Sequence, residues 1–254
     1  MASINTTHVK SSRLTTLAQQ LRLYKPDEET DCATTTPVGS ERFTPKKAAV
    51  LICLFEQSDG GLRVILTKRS SRLSTHSGEV SLPGGKAEED DVDDADTATR
   101  EAKEEIGLDP SLVDVVAYLE PFLSKHLLRV IPVIGLLSDA NAFTPTPNVA
   151  EVDDVFDAPL EMFLKIVTNT TKPLGAIILQ DENRRCEQRE WMGEKYLVHY
   201  FDYETGGKKY LIWGLTAGIL IRAASIVYQR QPDFVEQNPK FKVPGDLNKD
   251  TIMP

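Results

Sequence analysis

A short run of charged side chains could carry metal chemistry in this 254-residue chain. Glu101, Glu104 and Glu105 have the spacing i, i+3 and i+4, which places all three carboxylates on one face of a helix. Three like charges this close repel one another unless a strong cation lies between them. Oxygen-only ligands on one rigid face suit a hard divalent ion. The spacing therefore predicts a site for Mg2+ or Mn2+.

Glycines and an arginine mark the elements that must position these glutamates. Gly84 and Gly85 precede the helix by an acidic loop, and Gly107 ends it. Because glycine has no side chain, the backbone at Gly84-Gly85 can approach a metal closely. Arg100 is spaced to pair with Glu104 one turn later and fix its rotamer. Taken alone, an acidic helix face is usually only solvated surface, so the interpretation depends on the wider pattern.

The wider pattern joins the glycine pair, an acidic residue six positions after Gly85, and the run Arg-Glu-Ala-Lys-Glu-Glu-Ile-Gly-Leu. It resembles the Nudix box of hydrolases that act on nucleoside diphosphates linked to another moiety. Asp91 stands where the family carries Glu, and it lies one residue further from Arg100 than in the family pattern. The extra residue falls in the loop and helix start, so the spacing of the glutamates is unchanged.

The Nudix resemblance implies a fold, a reaction and its catalytic residues. The fold would be an α/β/α sandwich with a mixed sheet, which agrees with the alternation of strands and helices along the chain. The reaction would be metal-assisted hydrolysis of a pyrophosphate. The residues expected to act in catalysis are Glu101, Glu104, Glu105, Arg100 and Glu151. One of the glutamates, Glu151 included, would serve as the general base.

The segment 66–85, LTKRSSRLSTHSGEVSLPGG, resembles the motif of the coenzyme A diphosphatase branch of this family. Ser74 replaces one arginine of that motif, although Arg72 lies two residues away. The resemblance continues through Pro147-Asn148 and Glu151-Val152, covers roughly residues 46–230, and is strongest to the plant, mitochondrial-type members. It implies a small-molecule substrate, coenzyme A or acyl-coenzyme A, cleaved to 4′-phosphopantetheine and adenosine 3′,5′-bisphosphate.

Coenzyme A carries a separate 3′-phosphate, which needs cations that do not compete with the metal. Basic residues before the glycine pair suit this role, and arginine binds phosphate well. The predicted substrate-binding residues are Lys68, Arg69, Ser70, Arg72, His76, Gly84 and Gly85. The alternatives are that Lys68 is plain surface, that Arg69 pairs with an acid of the loop 88–96, and that His76 is structural.

The sequence is also compatible with other functions. A related hydrolase acting on ADP-ribose, NADH or a dinucleoside polyphosphate would keep the metal face but would not need the motif in residues 66–78. A nucleotide-sensing Nudix domain would be expected to have lost a glutamate. The net charge of −9 argues against nucleic acid as a partner. The apolar stretch within residues 210–228 is too short for a membrane span and contains Arg222.

Composition divides the chain into three parts. Residues 1–45 form a variable arm with no acid before Asp27, which is typical of an organelle-targeting segment. Mitochondria are favoured over peroxisomes, although Arg13-Leu14 and Gln20-Leu21 resemble a peroxisomal signal. The protein would be cytoplasmic if the leucines of the arm only form an ordinary amphipathic helix. Residues 46–231 are expected to form the Nudix domain, with an inserted surface loop at 166–180, and residues 232–254 to form a tail.

Hydrophobic patterns predict the main elements of the domain. Residues 48–55 and 62–67 should form a β-hairpin, and residues 113–119, 130–137 and 196–203 should form strands. Pro132 indicates an edge or bulge position. Residues 158–165 should form a short helix with Pro159 in its first turn, and residues 210–228 a long apolar helix.

Overall fold

The computed structural model of the protein describes residues 11–26, 46–124, 128–165, 183–191 and 194–236. The helices and strands in chain order are α1 Ser12–Arg22, β1 Lys47–Glu56, β2 Leu62–Arg69, β3 Val80–Ser81, β4 Gly84–Lys86, α2 Asp94–Ile106, β5 Val113–Tyr118, β6 Phe122–Leu123, β7 Arg129–Leu137, β8 Val152–Pro159, β9 Arg184–Trp191, β10 Glu194–Thr205, β11 Lys208–Trp213 and α3 Gly214–Tyr228. The predicted insertion at 166–180 and most of the predicted arm and tail lie outside the described residues.

The main sheet is mixed, and its strands β1 and β2 diverge after a short paired region. Its order is β3-β2-β1-β7-β5, β1 and β7 are parallel, and β8 pairs along β2. The predicted hairpin is confirmed, but β1 and β2 pair only from Leu54↔Val64 to Glu56↔Leu62. Further along, β3 pairs with β2 and β4 pairs with β1. The chain that leads to the glycine pair therefore lies between the two diverging strands.

Helices cover both faces of this sheet. On one face, the apolar side of α2 packs with alternate residues of β1, including Leu51 and Cys53. On the other face, Ile52 and Leu54 join a larger core that includes α1, α3 and the second sheet, whose order is β11-β10-β9. Because successive side chains of a strand point to opposite faces, β1 contributes to both cores. The predicted α/β/α sandwich with a mixed sheet is confirmed.

Helix α1 packs against this domain. Leu14, Leu17 and Leu21 are buried in the larger core, whereas Leu23 is 83% exposed. The Gln20 side chain donates to the carbonyls of Ile226 and Val227 at 3.3 Å, at the end of α3. The leucines of the arm up to Leu21 therefore form an amphipathic helix that packs on the domain.

Two predicted helices are present but shorter than expected. Residues 210–213 belong to strand β11, where Tyr210 and Ile212 are buried at every second position, and α3 begins only at Gly214. The continuous apolar run concealed this alternation. Ala158 pairs with Val64 at the end of β8, so only Leu160–Phe163 turns, as a 3-10 helix. No helix in the described parts of the chain is long and apolar enough to cross a membrane.

The edge position predicted for Pro132 is wrong. Strand β7 lies between β1 and β5, and Pro132 is opposite Val50 of β1. On the other side of β7, pairing with β5 ends at Val133 and pairing with β6 begins at Val130. Proline is tolerated there because its missing N–H falls at the break between two short strands.

Candidate active site

Helix α2 presents the predicted glutamates at graded exposure. The Asp93 side chain caps the helix by accepting from the Asp96 N–H, and Gly107 ends it in the left-handed conformation at φ 74°. Glu105 is only 4% exposed, while the side chain of Glu104 is 55% exposed. The predicted common face is therefore present, with one carboxylate buried at its inner end and another open to solvent.

The glycine pair approaches the carboxylates rather than open space. A Cβ atom at Gly85 would lie 2.3 Å from a carboxylate oxygen of Glu101, and one at Gly84 would lie 2.4 Å from the Ala49 carbonyl oxygen. The Gly84 N–H donates to Glu105 Oε2 at 3.2 Å. A side chain at Gly85 would displace Glu101 on the helix face, and one at Gly84 would clash with the backbone of β1, which explains why the sequence has glycine at both.

Arg100 makes the expected contact with Glu104, but its stronger partner is Asp91. Its Nε and Nη2 atoms donate to the two Asp91 carboxylate oxygens at 2.8 and 3.0 Å. Weaker contacts join its Nη1 atom to Glu101 at 3.2 Å and to Glu104 at 3.4 Å. The hydrogen bond from Arg100 holds the pKa of Asp91 well below its usual range. Asp91, the predicted acidic residue of the loop, thus anchors the arginine that contacts the carboxylate face.

Burial and mutual repulsion disfavour charge on the inner glutamates. Burial, together with the nearby charges of Glu101 and Glu151, raises the pKa of Glu105 to about 7, against the lowering effects of the Gly84 N–H and the Arg69 charge. Burial is also the main cause of the raised pKa of Glu101. Because a cation would favour the charged form of both groups, this face is electrostatically suited to bind one.

The donor set fits a hard divalent ion, although it is not preassembled. Among the described residues, no three His, Cys, Asp or Glu side chains are already arranged to hold a metal ion. Glu101 and Glu104 instead contact Arg100. Oxygen-only donors with unfavourable charge on them are nonetheless the ligands that Mg2+ and Mn2+ prefer. Metal binding would require these two carboxylates to turn away from the guanidinium.

Arg69 lies beside this face. Its Nε atom is buried without a hydrogen-bond partner, and its charge acts on Glu105. Neighbouring Ser70 is fully buried, and its N–H donates to the Glu151 carbonyl oxygen at 2.8 Å. Pairing between β2 and β8 shifts register after Lys68, so that Arg69 faces Val152. The basic strand end, Glu151 and the buried glutamate therefore adjoin one another.

The remaining predicted substrate residues lie on the more exposed turn after β2. Arg72 is exposed, and its N–H donates to Ser70 Oγ at 3.3 Å. His76 has φ 54°, and its Nδ1 atom lies 2.8 Å from Glu79 Oε2. Lys68 is half-buried at the end of the strand. Of the three basic residues Lys68, Arg69 and Arg72, Arg69 is the one whose charge is a main cause of the shifted pKa of Glu105.

A loop between β7 and β8 completes the site, and Glu151 is the one residue of this loop that was predicted to act there. The Thr146 and Asn148 N–H groups donate to the carbonyl oxygens of Ile106 and Glu105, both at 2.8 Å. The Asn148 side-chain amide donates to Glu151 Oε1 at 3.3 Å. Only the predicted role of Glu151 pointed to this loop, because its contacts with α2 join residues far apart in sequence.

Comparison with known proteins agrees with this geometry. The NUDIX domain family matches residues 45–193. "Nudix hydrolase 15, mitochondrial" from Arabidopsis thaliana is 74% identical over 204 residues, covering 80% of this chain and 66% of that protein. "Nudix hydrolase 22, chloroplastic" from the same plant is 64% identical over 252 residues, covering 91% and 78%. A "peroxisomal coenzyme A diphosphatase" from Mus musculus is 36% identical over 208 residues, covering 81% and 78%.

The chain spans less than two thirds of the length of the first of these relatives. The family match nevertheless covers more than half of the chain, and the residues that carry the Nudix pattern lie within it. Together with the two plant relatives, this match shows that the chain belongs to the Nudix hydrolase family.

Proposed function

We propose that this protein is a metal-dependent diphosphatase that cleaves the pyrophosphate of coenzyme A or its acyl derivatives. The observation that carries the proposal is the meeting of the α2 carboxylate face with the buried, unpartnered Nε atom of Arg69. An acidic face can hold divalent cations, and a nearby arginine can hold the phosphate oxygens that those cations leave exposed. Binding a pyrophosphate requires both the divalent cations and the arginine.

Each residue of the site has a proposed role in this reaction. Glu101, Glu104 and Glu105 would hold Mg2+ or Mn2+, which, when bound, would polarise the phosphoryl oxygens and lower the pKa of the attacking water. In the metal-free protein, Arg100 would offset the charges of Glu101 and Glu104, while Asp91 fixes the arginine itself. Gly84 and Gly85 keep the face open. Glu151, held beside Arg69 and Glu105, would accept the proton from water.

We assign the basic residues to the two phosphate groups of coenzyme A according to their distance from the carboxylate face. Arg69 adjoins Glu105, so we assign it to the pyrophosphate rather than to the 3′-phosphate. The exposed Arg72, with Lys68 and His76 on the same turn region, would then contact the 3′-phosphate. Ser70 is buried and supports the turn through its Oγ atom. The name of the Mus musculus relative supports coenzyme A as the substrate.

The test is steady-state kinetics on coenzyme A, 3′-dephospho-coenzyme A, ADP-ribose and NADH. A charge-assisted contact with the 3′-phosphate is worth about 1.5–3 kcal/mol, so coenzyme A should be cleaved roughly ten- to hundredfold more efficiently than its dephospho form. Arg72→Ala should reduce this preference, whereas Arg69→Ala should slow both substrates alike. Arg22→Ala, which changes an exposed arginine paired with Asp114, is the matched control.

Faster cleavage of ADP-ribose or NADH, with no preference between the two coenzyme A forms, would refute the coenzyme A assignment. The protein would then be a Nudix pyrophosphatase for another nucleoside diphosphate derivative. A chain that binds these compounds without cleaving them at saturating metal would instead be a nucleotide-sensing domain.

We also propose that the protein is mitochondrial. The two plant relatives are named mitochondrial and chloroplastic. The peroxisomal alternative needs Leu14 and Leu21 to be accessible, yet they are 4% and 1% exposed in α1. A fluorescent fusion of residues 1–45, which has no domain to pack against, tests the signal itself. Diffuse fluorescence would refute targeting, and peroxisomal fluorescence lost in Arg13→Ala would favour the alternative.

A further inference from the structure

The connection between β7 and β8 is fastened to the site from two sides. Toward α2, the Asn148 N–H donates to the Glu105 carbonyl oxygen at 2.8 Å, so the loop is attached to the backbone of the buried glutamate. Toward β2, the Ser70 N–H donates to the Glu151 carbonyl oxygen, also at 2.8 Å. These bonds fix the backbone on both sides of the Glu151 carboxylate, but they leave its side chain free to rotate.

The side chain of Asn148 supplies the missing constraint. Its Nδ2 atom donates to Glu151 Oε1 at 3.3 Å, while its Oδ1 atom accepts from the Ala150 N–H at 3.2 Å. The second bond fixes the amide plane, which aims the first at the carboxylate. Asparagine suits this position because it can donate and accept through one side chain.

We propose that Asn148 is a positioning residue, which holds the Glu151 carboxylate toward the glutamates of α2 and thereby sets the rate of hydrolysis. This inference rests on the proposed function, since it concerns the same reaction. The Glu151 charge already acts on both Glu101 and Glu105. Asn148 itself would touch neither metal nor substrate, so its whole effect should pass through Glu151.

Asn148→Asp removes the bond in question and places a second negative charge beside Glu151. Aspartate can still accept from the Ala150 N–H, so the turn is kept, but it cannot donate to Glu151. Asn141→Asp is the matched control, because it makes the same change at an exposed residue of the same connection. We expect Asn148→Asp to lower kcat about tenfold, against about a hundredfold for Glu151→Gln, which removes a general base. KM and the melting temperature should stay close to those of Asn141→Asp.

The double variant decides whether Asn148 acts through Glu151. If it does, Asn148→Asp should cost nothing further in the Glu151→Gln background. The proposal would be overturned if the kcat losses of the two single variants multiplied in the double variant. It would also be overturned if Asn148→Asp were as active as Asn141→Asp. If the wild type fails to cleave coenzyme A, the proposed substrate is wrong, and the same cycle is run on the pyrophosphate that it does cleave.

A measurement without turnover guards against a variant that fails to fold. In protein labelled with 15N-asparagine, the side-chain amide signals of Asn148 should move when Glu151→Gln removes the charged acceptor. The signals of Asn141 should not move. An Asn148 amide that ignores Glu151→Gln would show that the hydrogen bond is absent in solution and would also overturn the proposal.

Discussion

Helices α1 and α2 each bury one face in the domain, but the two faces have opposite effects on the fold. The buried residues of α1 are apolar, Leu14, Leu17, Ala18 and Leu21, and its Arg22 pairs with Asp114 at the surface. Helix α2 buries Ala102 and Ile106 in the same way, but it also buries Glu105. Burying apolar surface stabilises a fold, whereas burying a carboxylate costs free energy. The contrast indicates that α1 serves stability and that α2 gives up some stability for chemistry.

The largest expected effect concerns the exposed glutamate of α2. Glu104→Gln keeps the size and helix propensity of the side chain but removes a negative charge from the proposed metal face. We expect kcat/KM on the best substrate to fall by about a thousandfold at saturating Mg2+, with an unchanged melting temperature. Activity within a few-fold of the wild type would contradict the chemical role assigned to α2.

Helix α1 should show the opposite behaviour. Leu21→Ala should lower the free energy of unfolding by about 2–5 kcal/mol, because it leaves a cavity under a fully buried helix face. Urea denaturation measures this loss, and kcat at low temperature should remain near that of the wild type. Leu23→Ala is the matched control, since Leu23 is 83% exposed. Equal stability of the two variants would mean that α1 does not pack on the domain in solution.

A smaller effect is the pH dependence of the free energy of unfolding that results from burying Glu105. Burial raises the pKa of Glu105 from 4.5 to about 7, so the stability associated with its protonated form is present below pH 4.5 and is lost as the pH rises through 7. In metal-free protein, Glu105→Gln should match the wild type near pH 5 and exceed it in unfolding free energy by roughly 2–3 kcal/mol at pH 8.

Comparing the two proteins at each pH is necessary because His199 acts in the opposite direction. Burial lowers the pKa of His199 to about 4, so the wild type gains stability from this group between pH 4 and 6.5. This gain is common to both proteins and cancels in their difference. Saturating Mg2+ should then reduce the gap at pH 8, since it favours the charged glutamate. A gap independent of both pH and metal would contradict the assignment.

The difference between the helices also explains what the sequence could predict. The glutamates of α2 were predictable because they lie within two turns of one helix and the wider pattern, from Gly84 to Leu108, is continuous in sequence. The leucines of α1 fit both a targeting segment and a packed helix, and the packing itself shows only in contacts with distant parts of the chain, such as those with α3. Asn148 was not predicted for the same reason, because its partner in α2 is distant in sequence.

Strand β8 shows where local patterns mislead. Asp153, Asp154 and Asp157 interrupt its apolar alternation, so nothing in the sequence indicates a strand until β2 is placed beside it. Asp154 accepts from Lys208 at 2.6 Å and from Tyr210 at 2.7 Å, both on β11. The charged side chain of Asp154 is thus explained by its tertiary contacts with β11, which cannot be inferred from the local sequence.

Binding of Mn2+ to the apo-protein tests the central claim most directly, without reference to any substrate. In a calorimetric or electron-spin titration at pH 8, the wild type and Leu21→Ala should bind Mn2+ with equal affinity. Glu105→Gln and Glu104→Gln should each weaken binding by at least about tenfold, because each removes an anionic oxygen ligand from the face. If both glutamine variants bound Mn2+ as tightly as the wild type, the carboxylate face of α2 would not be the metal site.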